Sequence, residues 1–435
     1  MKFVRYDSYK YSDVDWFDTI PKEWSVTHLK RLSKNITDGA HTSPDTSSND
    51  YPFLSVVDLK DNKLDFENCL FTSKGDYEKL LRNGCKPKLN DVLFSKDGTI
   101  GETFVIQEDK EFVVGSSFII ISPNTKKINP SFLNYLLSSP IMKYQSRSNV
   151  KGIGLPRISI FNTSKMIITY PDKINEQIEI SNYLDIKTYK IDKEISILEQ
   201  KIEKYNELKQ TLITETILIG LDKNVELRDS EIEWIGNIPK HWEVKRYKDS
   251  FKLLSSGIKY FDGYRSYLST KSVGLNKVLQ VEDEITFLAR PSRANMQPSK
   301  DTAWYAKMRF TDKCLIFKED DEYENFILST GFAGIKIKYD YIDFVKYYLM
   351  SKYFKFEKDM YSYGTAQESI NDTNIAVISF VKPPYDEQVE IANYLDEKTS
   401  KIDSIIEVIG KKIEVLKEFR KTLINDVVTG KVKVA

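Results

Sequence analysis

Two stretches of the chain concentrate side chains suited to gripping and reading a nucleic acid. Between Glu284 and Lys313 there are six basic residues against three acids, and the run "ARPSRANMQPSK" sets Arg290, Ser292, Arg293, Asn295, Gln297 and Lys300 around two prolines. Arginine, asparagine and glutamine on a constrained loop can make paired hydrogen bonds to guanine and adenine edges, and lysine suits phosphate. From Lys143 to Lys165 there are five basic residues and no acid, including Arg147, Lys151 and Arg157, with Gly152, Gly154 and Pro156 marking a loop.

Covalent chemistry finds no comparable footing. "KPPYDEQ" resembles the (Asn/Asp)-Pro-Pro-(Tyr/Phe) pattern of amino-methylating enzymes, but Lys382 stands where the amide or acid must accept the amino protons. The stretch reads as the start of a helix. There is no GxxxxGK[ST] phosphate loop. The three histidines, His28, His41 and His241, lack metal-ligand spacing, and His28 and His241 lie near repeated tryptophans, where a structural role is expected. Cys69, Cys85 and Cys314 form no CxxC pair, which speaks for a reducing cytoplasm and against a zinc site.

The elements that must position these loops are written twice. "EQIEISNYLDIKTYKID" from Glu176 returns as "EQVEIANYLDEKTSKID" from Glu387, and 21 of the 38 positions in 176–213 and 387–424 are identical. Upstream, Trp16, Ile20, Pro21, Lys22 and Trp24 match Trp234, Ile238, Pro239, Lys240 and Trp242, and "FLNYLLSS" matches "FVKYYLMS". Between these anchors the halves diverge almost completely. A repeat of this length fixes the plan before any local reading. The expected divisions are a first variable domain at 1–170, a helical spacer at 171–225, a second variable domain at 226–382 and a closing helical spacer at 383–435.

In the repeated segments apolar residues step by four and three, through Ile191, Ile195, Leu198, Ile202, Tyr205, Leu212 and Ile219, and again through Ile402, Ile406, Ile409, Ile413, Leu416, Leu423 and Val427. That is a coiled-coil seam. Lys209 and Arg420 interrupt it at the same place in each copy. Internal repetition lets the two helices pair antiparallel. At 1.5 Å per residue the seam from Ile191 to Ile219 rises ~42 Å, comparable with the roughly 34–36 Å of one B-DNA turn. Short runs such as "DVLFS", "GETFVIQ", "KCLIFK" and "FAGIKIK" read as strands, so the fold class is mixed α/β (α+β), a pseudo-two-fold repeat of two variable domains separated by two pairing helices.

Lys+Arg and Asp+Glu both number 64 in 435 residues, so any DNA-binding face is offset by acidic surface elsewhere. No apolar run reaches the ~20 residues of a membrane helix, and the start of the chain has no apolar h-region.

With "SDVDWFDTIPKEW" and "SEIEWIGNIPKHW" before the variable blocks and "EQxEIxNYLDxKTxKID" after them, the chain closely resembles the specificity subunit of Type I restriction-modification enzymes. "DGAHTSP" at Asp38, "NDVLFSKDGTIG" at Asn90, "RPSRANM" at Arg290 and "STGF" at Ser329 also look like that family's blocks. The resemblance implies that each variable block is a target recognition domain reading one half of a split double-stranded DNA site. It adds His41, Thr42, Ser43, Lys96 and Gln367 to the candidate DNA-contacting residues. It also implies that the helices fix the gap and dock two methyltransferase subunits, with two translocase-nuclease (restriction) subunits completing the complex. The chain itself would bind no cofactor, and its partners would use S-adenosylmethionine, ATP and Mg. A cytoplasmic location follows, with no membrane association. One departure is that "YPDKINEQ" lacks the doubled proline usual before the helix. The competing expectation is a coiled-coil scaffold carrying two protein-binding domains.

Overall fold

The computed structural model describes residues 4–60, 63–148, 156–319, 321–364 and 368–434. Two helices dominate it, Ile174–Ile219 and Tyr385–Val428. The first holds neither glycine nor proline, and the second a single glycine, Gly410, so nothing local stops propagation. The chain forms two compact units, Met1–Leu198 with Lys411–Ala435, and Glu199–Gly410. Each long helix therefore contributes to both. The limits read from the sequence group residues by stretch of chain; the compact units group them by contact and divide inside each helix.

In the first unit an antiparallel sheet runs in the order Thr103–Val105, Val92–Ser95, Phe118–Pro123, Ser33–Asp38. A second sheet pairs Tyr51–Leu54 in parallel with Val113–Val114 and antiparallel with Leu70–Thr72. The other unit repeats this frame. Its antiparallel sheet runs Cys314–Phe317, Thr302–Ala306, Phe332–Lys336, Lys252–Leu254. Its second sheet pairs Arg265–Leu268 in parallel with Phe326–Ser329, with Asp283–Ile285 and Ala294–Met296 outside them. After the parallel-paired strand comes the same boxed single turn, capped by Ser55 with Asp58 in one unit and by Ser269 with Ser272 in the other.

The strands read from "DVLFS", "GETFVIQ", "KCLIFK" and "FAGIKIK" are present, and "FLNYLLSS" and "FVKYYLMS" are the helices Pro130–Ser138 and Ile342–Met350. "RPSRANM" departs from a pure loop, because Ala294–Met296 is a strand paired with Phe326–Ser329. None of the described helices is long and apolar enough to cross a membrane.

The seam holds with one correction. Ile191, Leu198, Ile402, Ile413 and Leu423 are buried, and Ile195, Ile202, Leu212, Ile406, Ile409 and Leu416 are half-buried. Ile219, however, is exposed, while Ile213 and Ile217 are fully buried beside Trp242. The last turns of that helix leave the three-four stepping and face the broader core of the unit. Within the first unit the pairs Asp192–Arg420 (2.8 Å) and Glu194–Lys412 (2.7 Å) run in opposite chain directions, so the helix segments are antiparallel.

Candidate nucleic-acid interface

The interface begins with what holds the frame to the helices. Trp24 Nε1 donates to Glu176 at 3.0 Å, and Trp242 Nε1 to Glu387 at 2.9 Å. The next residue locks the neighbouring turns. Gln177 Oε1 accepts from Asn129 N (2.7 Å) while its Nε2 donates to Pro171 O (2.7 Å); Gln388 does the same with Tyr341 N (2.8 Å) and Pro383 O (3.0 Å). Both tryptophans are buried, so an unpaired indole N–H or glutamine would cost a full desolvation penalty. This explains why "EQ" opens both copies. Gly220 and Gly430, at φ +81° and +75°, pass against Trp242 and Trp24, where a Cβ would stand 2.9 Å from one ring and 3.3 Å from the other.

The polar seam positions answer one another. Arg420 makes a two-pronged pair with Asp192 (2.8 and 3.1 Å), and Lys209 pairs with Asp403 (2.7 and 2.6 Å). Each unit thus satisfies one repeat's basic residue with the other repeat's "KID" aspartate. His28 and His241 are structural as expected: His28 Nδ1 lies 2.9 Å from Lys165 O, and His241 Nε2 lies 2.7 Å from Glu387. Lys382 lies in a strand and pairs with Asp340 at 2.9 Å, and the prolines after it lead into the second long helix.

In the first unit, strand Ser33–Asp38 ends in the "DGAHTSP" turn. Gly39 passes so close to the second sheet that a Cβ would sit 2.1 Å from Gly115 O. That crossing delivers His41, Thr42 and Ser43 to the surface, all exposed. Lys96 is a correction. Its side chain is buried and its Nζ lies 2.7 Å from Asp38, whose same oxygen also meets His41 Nε2 at 3.2 Å. Lys96 neutralises the acid beneath the loop and is not free for phosphate. Arg157 stays at the surface with its Nε and Nη2 held by Asp97 at 2.6 and 2.8 Å. The carboxylate orients the guanidinium and holds its pKa above the ordinary arginine value. Arg147 is exposed near the end of helix Pro140–Ser148. Lys151, like Gly152 and Gly154, lies outside the described residues.

The second unit presents different chemistry on the same frame. Arg290 stacks on Phe287 (4.1 Å) and donates to the Phe287 carbonyl oxygen. Ser292 and Arg293 are exposed on a turn that "STGF" braces, with Thr330 N donating to Arg293 O at 2.8 Å. Asn295 is half-buried beside them. Gln297 is a second correction: its Oε1 accepts from Arg265 Nη1 at 3.2 Å, so its amide is committed inside the protein. Lys300 pairs with Glu319. Gln367 lies outside the described residues.

Two residues escaped the sequence reading. Arg265 stacks on Phe261 at 4.5 Å, but its alternating setting "YRSYLST" showed only a strand. Lys307 is the counterpart of Lys96: their N–H groups donate to Gly331 O and Ser117 O at 2.9 Å each, and their carbonyls accept from Ile370 N (3.0 Å) and Ile158 N (3.1 Å). Among the described residues, no group of three His, Cys, Asp or Glu side chains could hold a metal ion.

Comparison with known proteins agrees with this architecture. Residues 21–207 match the model of the Type I restriction modification DNA specificity domain. The Type I restriction enzyme MjaVIII specificity subunit of Methanocaldococcus jannaschii is 26% identical, over 95% of this chain and 94% of its own length. The EcoBI specificity subunit of Escherichia coli is 27% identical over 41% of this chain and 36% of its own length. Among solved structures, a chain from work on complex assembly and conformational transition of the type I R-M system covers 95% of this chain and 99% of its own, with a TM-score of 0.69 and 12% identity. The HsdS subunit from Thermoanaerobacter tengcongensis follows with a TM-score of 0.50, 13% identity and coverage of 95% of this chain and 98% of its own. The repeated frame, the clamped helices and the matched domain agree: residues 21–207 match a Type I restriction modification DNA specificity domain, and along nearly its whole length the chain is similar to Type I restriction enzyme specificity subunits.

Proposed function

We propose that the chain reads a split, asymmetric double-stranded DNA site, one half per unit, and docks two methyltransferase and two restriction subunits. The observation that carries this reading is chemical difference on a shared frame. The turn after Gly39 packs against Gly115, at the end of one parallel-paired strand, and displays His41, Thr42 and Ser43, with Arg157 exposed on a separate segment; the turn braced by "STGF", at the end of the other unit's parallel-paired strand, displays Ser292 and Arg293, with Arg290 half-buried beside them. Two readers that shared a target would have no reason to differ so fully. The long helices set the gap between half-sites and offer partners exposed apolar side chains, among them Ile186, Tyr189, Val408 and Val415. In this reading the chain supplies recognition alone. S-adenosylmethionine, ATP and Mg are used by the partner subunits, and the assembled complex works in the cytoplasm.

Zero formal net charge fits a reader that draws much of its hold on phosphate from its partners. The test is co-expression with the cognate methyltransferase subunit in an unmethylated host, followed by single-molecule mapping of N6-methyladenine. A split motif with a fixed unread gap is the expected result. Association of the two proteins without new methylation would favour the scaffold reading instead.

A further inference from the structure

Helices Pro130–Ser138 and Ile342–Met350 are counterparts, as are strands Thr103–Val105 and Cys314–Phe317, but their surroundings differ in one respect. In the second unit four charged side chains form a continuous chain. Lys318 Nζ lies 2.8 Å from Asp343, Lys346 Nζ lies 3.4 Å from Asp343, and the same ammonium lies 2.7 Å from Asp396 Oδ1. Tyr347 OH donates to that oxygen at 2.6 Å, and its ring lies 4.4 Å from the Lys346 ammonium.

The corresponding residues of the first unit are Gln107, Ser131, Asn134 and Asp185. Only the carboxylate is kept. Tyr135 OH donates to Asp185 at 2.6 Å and lies 3.2 Å from Thr188, matching Tyr347 with Asp396 and Thr399. Among the described residues no cation pairs with Asp185. All four of these residues line a cavity of about 450 Å³. Asn134, in the place of Lys346, is only 6% exposed, and its Oδ1 has no hydrogen-bond partner. Two lysines also contribute to the lining, but Lys110 is paired with Glu108 at 3.1 Å and Lys63 belongs to an exposed two-residue strand.

We propose that this cavity binds an alkylammonium group, seated where Lys346 Nζ sits in the other unit. The group would meet Asp185, the orphaned Asn134 oxygen and the Tyr135 ring, and its alkyl chain would lie along Phe104, since the Lys110 ammonium already sits over the Phe66 ring at 5.1 Å. A carboxylate with no cation paired to it, an unsatisfied buried acceptor and an aromatic face each gain from a cation. The ammonium comes either from a free amine or from a lysine of a docked partner.

The test is calorimetric titration of the full chain with n-butylammonium at constant ionic strength, with n-butanol as the neutral control. One site is expected, with butanol at least about tenfold weaker. Asp185→Asn, which keeps an acceptor for Tyr135, weakens butylammonium by about tenfold or more. Asn134→Lys supplies the ammonium internally and abolishes binding. Equal binding of alcohol and amine, or undiminished binding by Asn134→Lys, overturns the proposal. Should Asn134→Lys fail to fold, Asp185→Asn decides alone. The last arm rests on the docking proposed above. A loss of methyltransferase-subunit affinity in folded Asn134→Lys identifies a partner lysine as the source; unchanged affinity with lost butylammonium binding identifies a free amine. Neither result depends on whether the chain reads DNA.

Discussion

The two units share a four-stranded antiparallel sheet and a second sheet built on a parallel pair, to which the second unit adds the strand Ala294–Met296, while sharing almost no sequence between their anchors. What they keep is the set of contacts that a buried polar group cannot do without: tryptophan to glutamate, glutamine to two turns, tyrosine to aspartate and threonine. What they change is everything the frame projects, together with one cluster that runs from the core to the surface. In the second unit that cluster is a four-member ion-pair chain, and in the first it is three neutral side chains around a lone carboxylate. Architecture here is held by a few satisfied hydrogen bonds, which leaves the loops free to vary without loss of the fold.

The sharpest way to break the comparison is at the tryptophans. Trp24→Ala and Trp242→Ala should each cost about 3–5 kcal/mol, since each empties a buried site and removes the indole hydrogen bond to the helix glutamate. Hydrogen exchange should show the loss concentrated in the strands of the mutated unit. Equal loss in both units would mean that they do not hold their cores separately.

The ion-pair cluster gives a smaller, pH-dependent difference. Burial raises the Asp343 pKa, but Lys318 and Lys346 more than offset this and leave the carboxyl below its ordinary value. A depressed folded pKa means stabilisation that is fully present above the unfolded value of about 3.9 and is lost as pH falls through the lower folded value. The second unit should therefore lose stability below about pH 4 through Asp343, and Asp343→Asn should remove that part of the slope in acid titrations followed by hydrogen exchange. The first unit has Ser131 there and lacks this contribution.

Smaller still is the helix difference. Gly410 occupies the position of Glu199, with open space where a Cβ would stand. Gly410→Ala should raise stability by roughly 0.5–1 kcal/mol, visible as a higher denaturant midpoint at unchanged m-value. Smallest of all, Lys209→Ala and Arg420→Ala remove partly exposed pairs and should each cost no more than about 1 kcal/mol.

Much of this plan was legible in the sequence because a repeat of 38 positions needs no local propensity to be seen. The seam was legible for the same reason until Ile219, where one helix stops facing its partner and faces a core. The matching sheets were not legible: strands as short as Val113–Val114 carry too little periodicity to align without anchors. Lys96 was misread because its partner, Asp38, is distant in sequence, and resemblance to a motif gives no sign of an acid beneath the loop. Gln297 was misread for the same reason, because Arg265 reaches it from a strand that alternation alone had described.

The central claim is that each unit reads its own half-site. It is tested most directly by paired methylomes of His41→Ala and Arg293→Ala chains, each co-expressed with the methyltransferase subunit. The account predicts that His41→Ala relaxes bases in one half of the motif and Arg293→Ala relaxes bases in the other, with the gap unchanged in both. Relaxation of the same half by both substitutions, or a changed gap, would contradict it.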